Sequence, residues 1–374
     1  MTEPQPRVIY AYAQPLPNAL ANSGAVLSLL DALADVGLRA GVLFPGTCAD
    51  ADMLARTYGL RNEIERHAVH SGPGPAFYPL LALQAARRAR GGVVVTRSPQ
   101  IAIASAVLGQ PTLLELHQPV ETASRWRLWR RLLPLAKPER LSVACLTESL
   151  SDRLDPVLRD RALEVATIAS GSLDFDAPWS QRDHDLGYVG SFKAGKGIEV
   201  ILNTARLRPD LRMLVVGDPR GGPEIAAQLG LLENVTLTGP VSRAEIAGQT
   251  TRFHIGLAPY AATGFSGGAK TWIGSDSLSS LKIAEYMSAG AAIVSSDIPS
   301  VRAMATNGTE ALLCPPGDEA AWLGAIDRLI SDDLLRRRLV DAGRRRFEIE
   351  FSMAVRARRF AALIRRLAAK GARA

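Results

Sequence analysis

Two lysines set in a glycine frame, Lys193 and Lys196 within Gly190–Gly197 (GSFKAGKG), carry the clearest chemical pattern in this chain. The segment follows a strand-like run and opens a helix-like one. Glycines let a backbone approach an anion closely, and the N–H groups that begin a helix carry partial positive charge. With two ammonium groups added, the segment suits a diphosphate. The same residues also fit a glycine-rich turn with solvated lysines. The pattern imitates the P-loop G-x-x-x-x-G-K-[ST], with Gly190, Gly195 and Lys196 in place. Gly197 stands where a hydroxyl would ligate magnesium, and Gly217–Pro219 (GDP) is a poor substitute for a strand ending in a metal-binding Asp. ATP hydrolysis of the P-loop kind is therefore disfavoured.

A second candidate lies in Ser279–Val301 (SSLKIAEYMSAGAAIVSSDIPSV). The pattern predicts a helix of about eleven residues that ends at Ala289, with Gly290 as its left-handed stop. The strand AAIVSS follows, then Asp297 and Pro299. Glu285 falls mid-helix, one turn after Leu281 and Lys282. On pattern alone it reads as a solvated carboxylate paired with Lys282 at i,i+3, a contact worth about 0.2–0.5 kcal/mol. His117 closes the run TLLELH, where it fits a ligand-facing and a satisfied structural role about equally. No pair of carboxylates of the glycosidase kind is apparent.

The elements that must position these residues alternate throughout the chain. Arg7–Ala13, Ala40–Pro45, Gly92–Arg97, Pro111–His117 and Leu141–Thr147 read as strands, with a helical pattern over Gly24–Gly37. A second series runs through Leu186–Gly190, Leu211–Gly217, Asn234–Gly239, His254–Tyr260 and Ala291–Ser296. The strands are continuously apolar, as expected when helices cover both faces of a parallel sheet. The polar, Pro-containing stretch Phe175–Asp185 reads as a linker. Two doubly wound α/β halves facing each other across a cleft follow, with ligands at the carboxyl ends of the strands. The expected domains are residues 1–178 and 179–351. The basic amphipathic segment at about 352–374 is expected to pack back on the first of these.

Composition sets the outer bounds. The 374 residues are 47% apolar and 22% charged, ordinary for globular protein. No stretch reaches the roughly 18–20 apolar residues needed to span a bilayer, and the first residues lack a signal-peptide pattern. The expected location is cytoplasmic, with contact at the inner face of the membrane as an extension. Cys48, Cys145 and Cys314 make neither a disulfide framework nor a zinc spacing. A net charge of +7 suits anionic partners without selecting one. No zinc-finger or RNP-type motif supports nucleic acid. Ser124–Arg140 (SRWRLWRRLLPLAKPER) interleaves Trp126, Trp129 and leucines with arginines. That composition suits an anionic membrane surface, and equally a helix with its Trp/Leu side turned inward.

Across nearly its whole length the sequence resembles the retaining glycosyltransferases of family 4, with the GT-B fold. YVGSFKAGKGIEVIL, LRMLVVGD, NVTLTGPVSRAEI and HIGLAPY follow in that family's order and spacing. SLKIAEYMSAGAAIVSSDIPSVRAM is similar to its most specific motif, and TLLELHQP and LTESLSDRL resemble its first-domain segments. The resemblance implies a nucleotide-sugar donor, a glycan or lipid-linked acceptor, retention of anomeric configuration, and no required metal or other cofactor. It implies that Glu285 binds the donor ribose, that Lys196 grips the diphosphate with Gly190, Lys193 and Gly197, and that Lys282 lies at the donor site. It places Val241 and Pro240 at the nucleobase, and His117 beside the transferred sugar as an orienting group. Gly24 would belong to a glycine-rich loop that opens the first helix.

Two departures stand out. Ser277 replaces the first Glu of the E-x7-E motif, with Asp276 one residue away. Ser191 replaces the arginine that usually follows the glycine of YVG. The long loop Ala261–Leu278 holds Lys270 and Asp276, which are expected either to supply the missing contacts or to lie in a plain insertion. The departures motivate an alternative, a nucleotide-sugar-binding partner subunit with weak catalysis. A nucleotide-sugar epimerase is a further alternative.

Overall fold

In the computed structural model, residues 5–18, 21–47, 50–70, 72, 74, 76–169, 171–172, 174–175, 182–241, 243–266, 272–274 and 280–373 are described. They form two compact units, 1–170 with 353–374 and 171–352.

The first unit is built on seven parallel strands: β1 (Arg7–Ala11), β2 (Arg39–Pro45), β3 (Glu65–Val69), β4 (Val93–Thr96), β5 (Thr112–Leu116), β6 (Leu141–Cys145) and β7 (Val165–Thr167). Their order is β3-β2-β1-β4-β5-β6-β7. Alternate residues of β1 serve opposite faces, as a pleated strand requires. Val8 and Tyr10 join the core beneath the helices Ala21–Asp35 and Met353–Arg373. Ile9 and Ala11 join the core beneath Phe77–Arg88 and Pro99–Val107.

The final helix, Met353–Arg373, buries Ala357, Phe360, Ala361, Ile364 and Leu367 in the same cluster as Leu30 and Leu33 of the first helix. This is a stripe at helical spacing, and Arg358, Arg359, Arg365 and Arg366 are exposed on its other side. Gly24 lies within the helix Ala21–Asp35 and is buried, so it does not sit in a loop that opens the helix.

The second unit has six parallel strands: β8 (His184–Val189), β9 (Met213–Val216), β10 (Val235–Gly239), β11 (Phe253–Ala258), β14 (Ala292–Ser296) and β15 (Leu312–Cys314), in the order β10-β9-β8-β11-β14-β15. A short antiparallel pair, β12 (Phe265–Ser266) and β13 (Trp272–Ile273), lies within the long loop before the helix Leu281–Ser288. Parts of the expected linker belong to this unit. The Phe175 N–H donates to Ser288 Oγ at 2.6 Å. The buried Arg182 guanidinium donates to the carbonyls of Phe253, Ala289 and Gly290. The described ends of the stretch read as a linker are thus anchored, Arg182 by satisfying carbonyls at a strand start and a helix end.

In each sheet the winding reverses at one point, between β1 and β4 in the first unit and between β8 and β11 in the second. The carboxyl ends of strands at such a reversal leave a crevice where ligands bind in open α/β sheets.

Candidate functional site

At the reversal of the second unit, the loop Gly190–Gly197 leaves β8 and enters the helix Ile198–Leu207. Tyr188 ties the two ends of this loop together. Its hydroxyl donates to the Ser191 carbonyl at 3.0 Å and lies 3.4 Å from the Lys196 carbonyl. Gly197 caps the helix at φ 70°, and a Cβ there would meet Pro259 Cβ at 2.5 Å. Only glycine fits both demands. The helix start has no side-chain cap, so its first N–H groups remain the positive end of the helix dipole.

Beneath the loop lies Lys282, in the helix Leu281–Ser288, with 8% of its surface exposed. Its Nζ has no hydrogen-bond partner and sits 3.7 Å from the centroid of the Tyr188 ring. A Cβ at Gly190 would lie 2.9 Å from that Nζ, so the glycine makes room for the lysine. Lys282 Nζ and Lys196 Nζ lie 5.4 Å and 5.7 Å from the Tyr260 ring centroid. The two ammoniums therefore flank one aromatic ring, a cation–π arrangement that offsets part of their desolvation.

Burial and the Lys193 charge push Lys196 down to about 8. Burial, then Lys196, hold Lys282 well below the ordinary lysine range, against the opposing pull of Glu285. Two mutually repelling cations at an uncapped helix N-terminus form a site built for an anion of more than one charge.

Glu285 is 5% exposed, one turn along the same helix. Lys282 and Glu285 are both buried, so the two do not form the solvated surface pair the pattern suggests. Lys193 is exposed and lines a neighbouring pocket with Ser191, Asp218, Arg220 and Gly221. Asp218 accepts from the Arg220 N–H at 3.0 Å and pairs with its guanidinium. Asp218 is thereby committed to a turn, which removes the remaining support for a P-loop NTPase. Val241, half-buried, follows the carboxyl end of β10. Ser277, Asp276 and Lys270 lie outside the described residues. Among the described residues, no group of three or more His, Cys, Asp or Glu could hold a metal ion.

The first unit carries its own pocket at its reversal, lined among others by Asn22, Arg97, Ser98, Gln100, His117 and Gln118. His117 follows β5, and its Nε2 lies 2.5 Å from Glu115 Oε1. Glu115 is 1% exposed and also accepts from Tyr10 Oη at 2.6 Å and Arg97 Nη2 at 3.0 Å. Burial and the nearby Arg97 push His117 down to about 4, so its ring is neutral at ordinary pH. The structure thus gathers Gly190, Lys193, Lys196, Gly197, Lys282 and Glu285 in one unit and places His117 in the other. Sequence reasoning missed Tyr188, Tyr260, Arg97 and Glu115. A lone Glu within the apolar run TLLEL was the available signal, since a buried carboxylate must find partners.

The Trp/Arg segment is only half as expected. Trp126 is buried, and Trp129 packs edge-on against Tyr78 with centroids 6.4 Å apart. The exposed apolar groups are Leu128, Leu132 and Leu135 instead. No helix among the described residues is long and apolar enough to cross a membrane.

Residues 183–332 match the family described as Glycosyl transferases group 1. Among curated proteins the chain is similar to a phosphatidyl-myo-inositol mannosyltransferase of Mycobacterium leprae, 31% identical over 154 residues, covering 40% of this chain and 37% of that protein. It is also similar to an alpha-D-kanosaminyltransferase of Streptomyces kanamyceticus, 25% identical over 275 residues, covering 63% of this chain and 66% of that protein. The matched stretches span 37% and 42% of the length of the first two curated relatives.

Among solved structures, HepE of Anabaena in complex with UDP superposes with a TM-score of 0.69 at 14% identity, covering 96% of this chain and 99% of that one. Sucrose-phosphate synthase of Thermosynechococcus elongatus gives 0.68 at 18% identity, over 98% and 100%. These likenesses assign the GT-B fold.

Proposed function

We propose, on the premise that residues 183–332 form a glycosyl transferases group 1 domain in a GT-B chain, that this protein moves a sugar from a nucleoside-diphosphate sugar to an acceptor. The observation that carries the proposal is the pair of half-buried Lys196 and buried Lys282 beside Tyr260, at the start of the helix Ile198–Leu207. Cleavage of the donor leaves negative charge on the departing diphosphate. Ammonium groups and helix N–H donors already aimed at that charge stabilise it without reorganisation.

Glu285, inward-facing and acceptor-only when ionised, suits the vicinal ribose hydroxyls. His117, neutral, suits a sugar hydroxyl and not proton transfer. Val241 would meet the nucleobase. The family resemblance implies a retaining course, with the acceptor entering on the face the diphosphate leaves, and no required metal. Because similar structures hold UDP, uridine nucleotides are the first to test.

A thermal-shift series with UDP, GDP, ADP, CMP and their sugars tests the donor site. One nucleotide should stabilise the protein selectively, and Lys196→Ala and Glu285→Ala should lose the shift. No shift with any nucleotide or nucleotide sugar would overturn the donor site.

For the acceptor, Leu128, Leu132 and Leu135 with exposed Arg127 and Arg131 favour a lipid-linked glycan met at an anionic membrane surface. Flotation with phosphatidylserine vesicles should carry the protein upward, and Leu128→Asp with Leu135→Asp should leave it at the bottom. Equal flotation with neutral lipid vesicles would count against the anionic surface, and no flotation with either would count against the membrane contact.

A further inference from the structure

The enclosed carboxylate of Glu115 draws on four elements of the first unit. Tyr10 reaches it from β1, Arg97 from the residue after β4, and His117 from the residue after β5. The fourth is Arg356, 4% exposed on the helix Met353–Arg373, whose Nη2 lies 2.5 Å from Glu115 Oε1. Another nitrogen of Arg356 donates to the Ala169 carbonyl at 2.5 Å.

Glu115 and His117 are two residues apart and so project from the same face of the chain. Two guanidiniums around one carboxylate keep Glu115 ionised and leave the cluster one positive charge in excess. A second proton on His117 is therefore opposed, and the imidazole stays neutral. A neutral imidazole has one N–H, and Nε2 faces a carboxylate that can only accept. The proton belongs on Nε2, which leaves Nδ1 as the lone pair offered to the pocket. Arg97, already paired with Glu115, is the charged group of the lining, and Asn22, Ser98, Gln100 and Gln118 beside it are uncharged.

We propose that Glu115 is a positioning residue that fixes His117 as the Nε2–H tautomer, and that Arg356 from the last helix completes the device. His117 Nδ1 then accepts from a hydroxyl of the transferred sugar. Only this last clause rests on the transfer reading above. The tautomer and the role of Arg356 do not.

Long-range proton–nitrogen NMR of the histidines tests both halves, with His117 assigned by the signal lost in His117→Gln. In the whole protein, Nε2 should read as protonated and Nδ1 as bare between about pH 5 and 8, without titration. Arg356→Met should raise the His117 midpoint by about one unit or more, and Arg356→Lys should restore it in part. Glu115→Gln, close to isosteric, should release the tautomer even where Arg356→Met folds poorly. A wild-type His117 that titrates near neutrality, or carries its proton on Nδ1, would overturn the positioning role. So would an Arg356→Met protein with unchanged His117 signals. Saturating UDP-glucose should then move the Nδ1 signal more than Nε2. Binding seen at other residues with Nδ1 unmoved would overturn the sugar contact alone.

Discussion

Lys282 shows how much a single side chain can hide in a sequence. Its spacing to Glu285 reads as an exposed i,i+3 pair, yet it is buried under Gly190 with ring faces but no hydrogen-bond partner at its Nζ. Helical spacing places residues on a face but does not say whether that face is wet. An unpaired buried ammonium is costly, so Lys282→Met should stabilise the ligand-free protein by about 1–3 kcal/mol. The same change should weaken nucleoside-diphosphate binding about 10- to 100-fold, the scale of a lost charged hydrogen bond. Denaturant midpoints and calorimetry check the two effects. A variant that is less stable and binds normally would remove Lys282 from the site.

Lys196 makes a second prediction. Its folded value of about 8 lies below its ordinary value of 10.5. Between those values the unfolded chain holds more protons, so stability of the free protein should rise with pH across that window. A bound diphosphate favours the charged lysine, so binding takes up a proton and affinity should fall as pH climbs through 8. A pH-independent Kd for UDP between about 6.5 and 9.5 would contradict this. Lys193 and Lys196 were legible as candidates by glycine spacing and His117 by its strand ending, whereas Glu285 stood out only through the family resemblance. Glu115, Arg97 and Arg356 were not legible, since Arg356 is 241 residues from its partner Glu115.

At the scale of elements, the strands were the most readable part. The apolar runs are covered on both faces and leave little ambiguity. Helix ends were less so: the expected eleven-residue helix is Leu281–Ser288, and Gly24 is inside a helix whose opening residues look like a loop. There, packing of Val26, Leu27 and Leu30 in the core overrides the weak propensity of Asn22, Ser23 and Gly24. The turn at Gly197 is the element whose geometry is most exacting. Gly197→Ala faces both a left-handed φ and Pro259, and should cost about 2 kcal/mol or more. Because the turn aims the helix N-terminus, nucleotide binding should fall with it. Urea unfolding of the variant beside wild type, with and without UDP, checks this. An unchanged midpoint would mean that the loop relaxes freely.

At the scale of the whole molecule, the chain leaves the first unit at residue 170, builds the second, and returns with Met353–Arg373. The basic amphipathic pattern of this last helix was legible, and its inward stripe follows the expected spacing. Its return to the first unit was expected and is what the structure has, although periodicity alone identifies a buried face without naming the partner. Phe360, Ile364 and Leu367 are almost fully enclosed against Leu30 and Leu33. Each contributes about 1.5–3 kcal/mol by burial, and together they rival the roughly 5–15 kcal/mol that holds a domain folded. A chain ending at residue 352 should therefore lose the cooperative unfolding transition of its first unit. Its second unit keeps all of its own strands and should retain nucleotide binding. The second-unit transition should still move with UDP while the first is missing, and adding residues 353–374 as a peptide should recover part of it. Two intact transitions in the shortened chain would show that the last helix is an accessory to the first unit and not a part of its core.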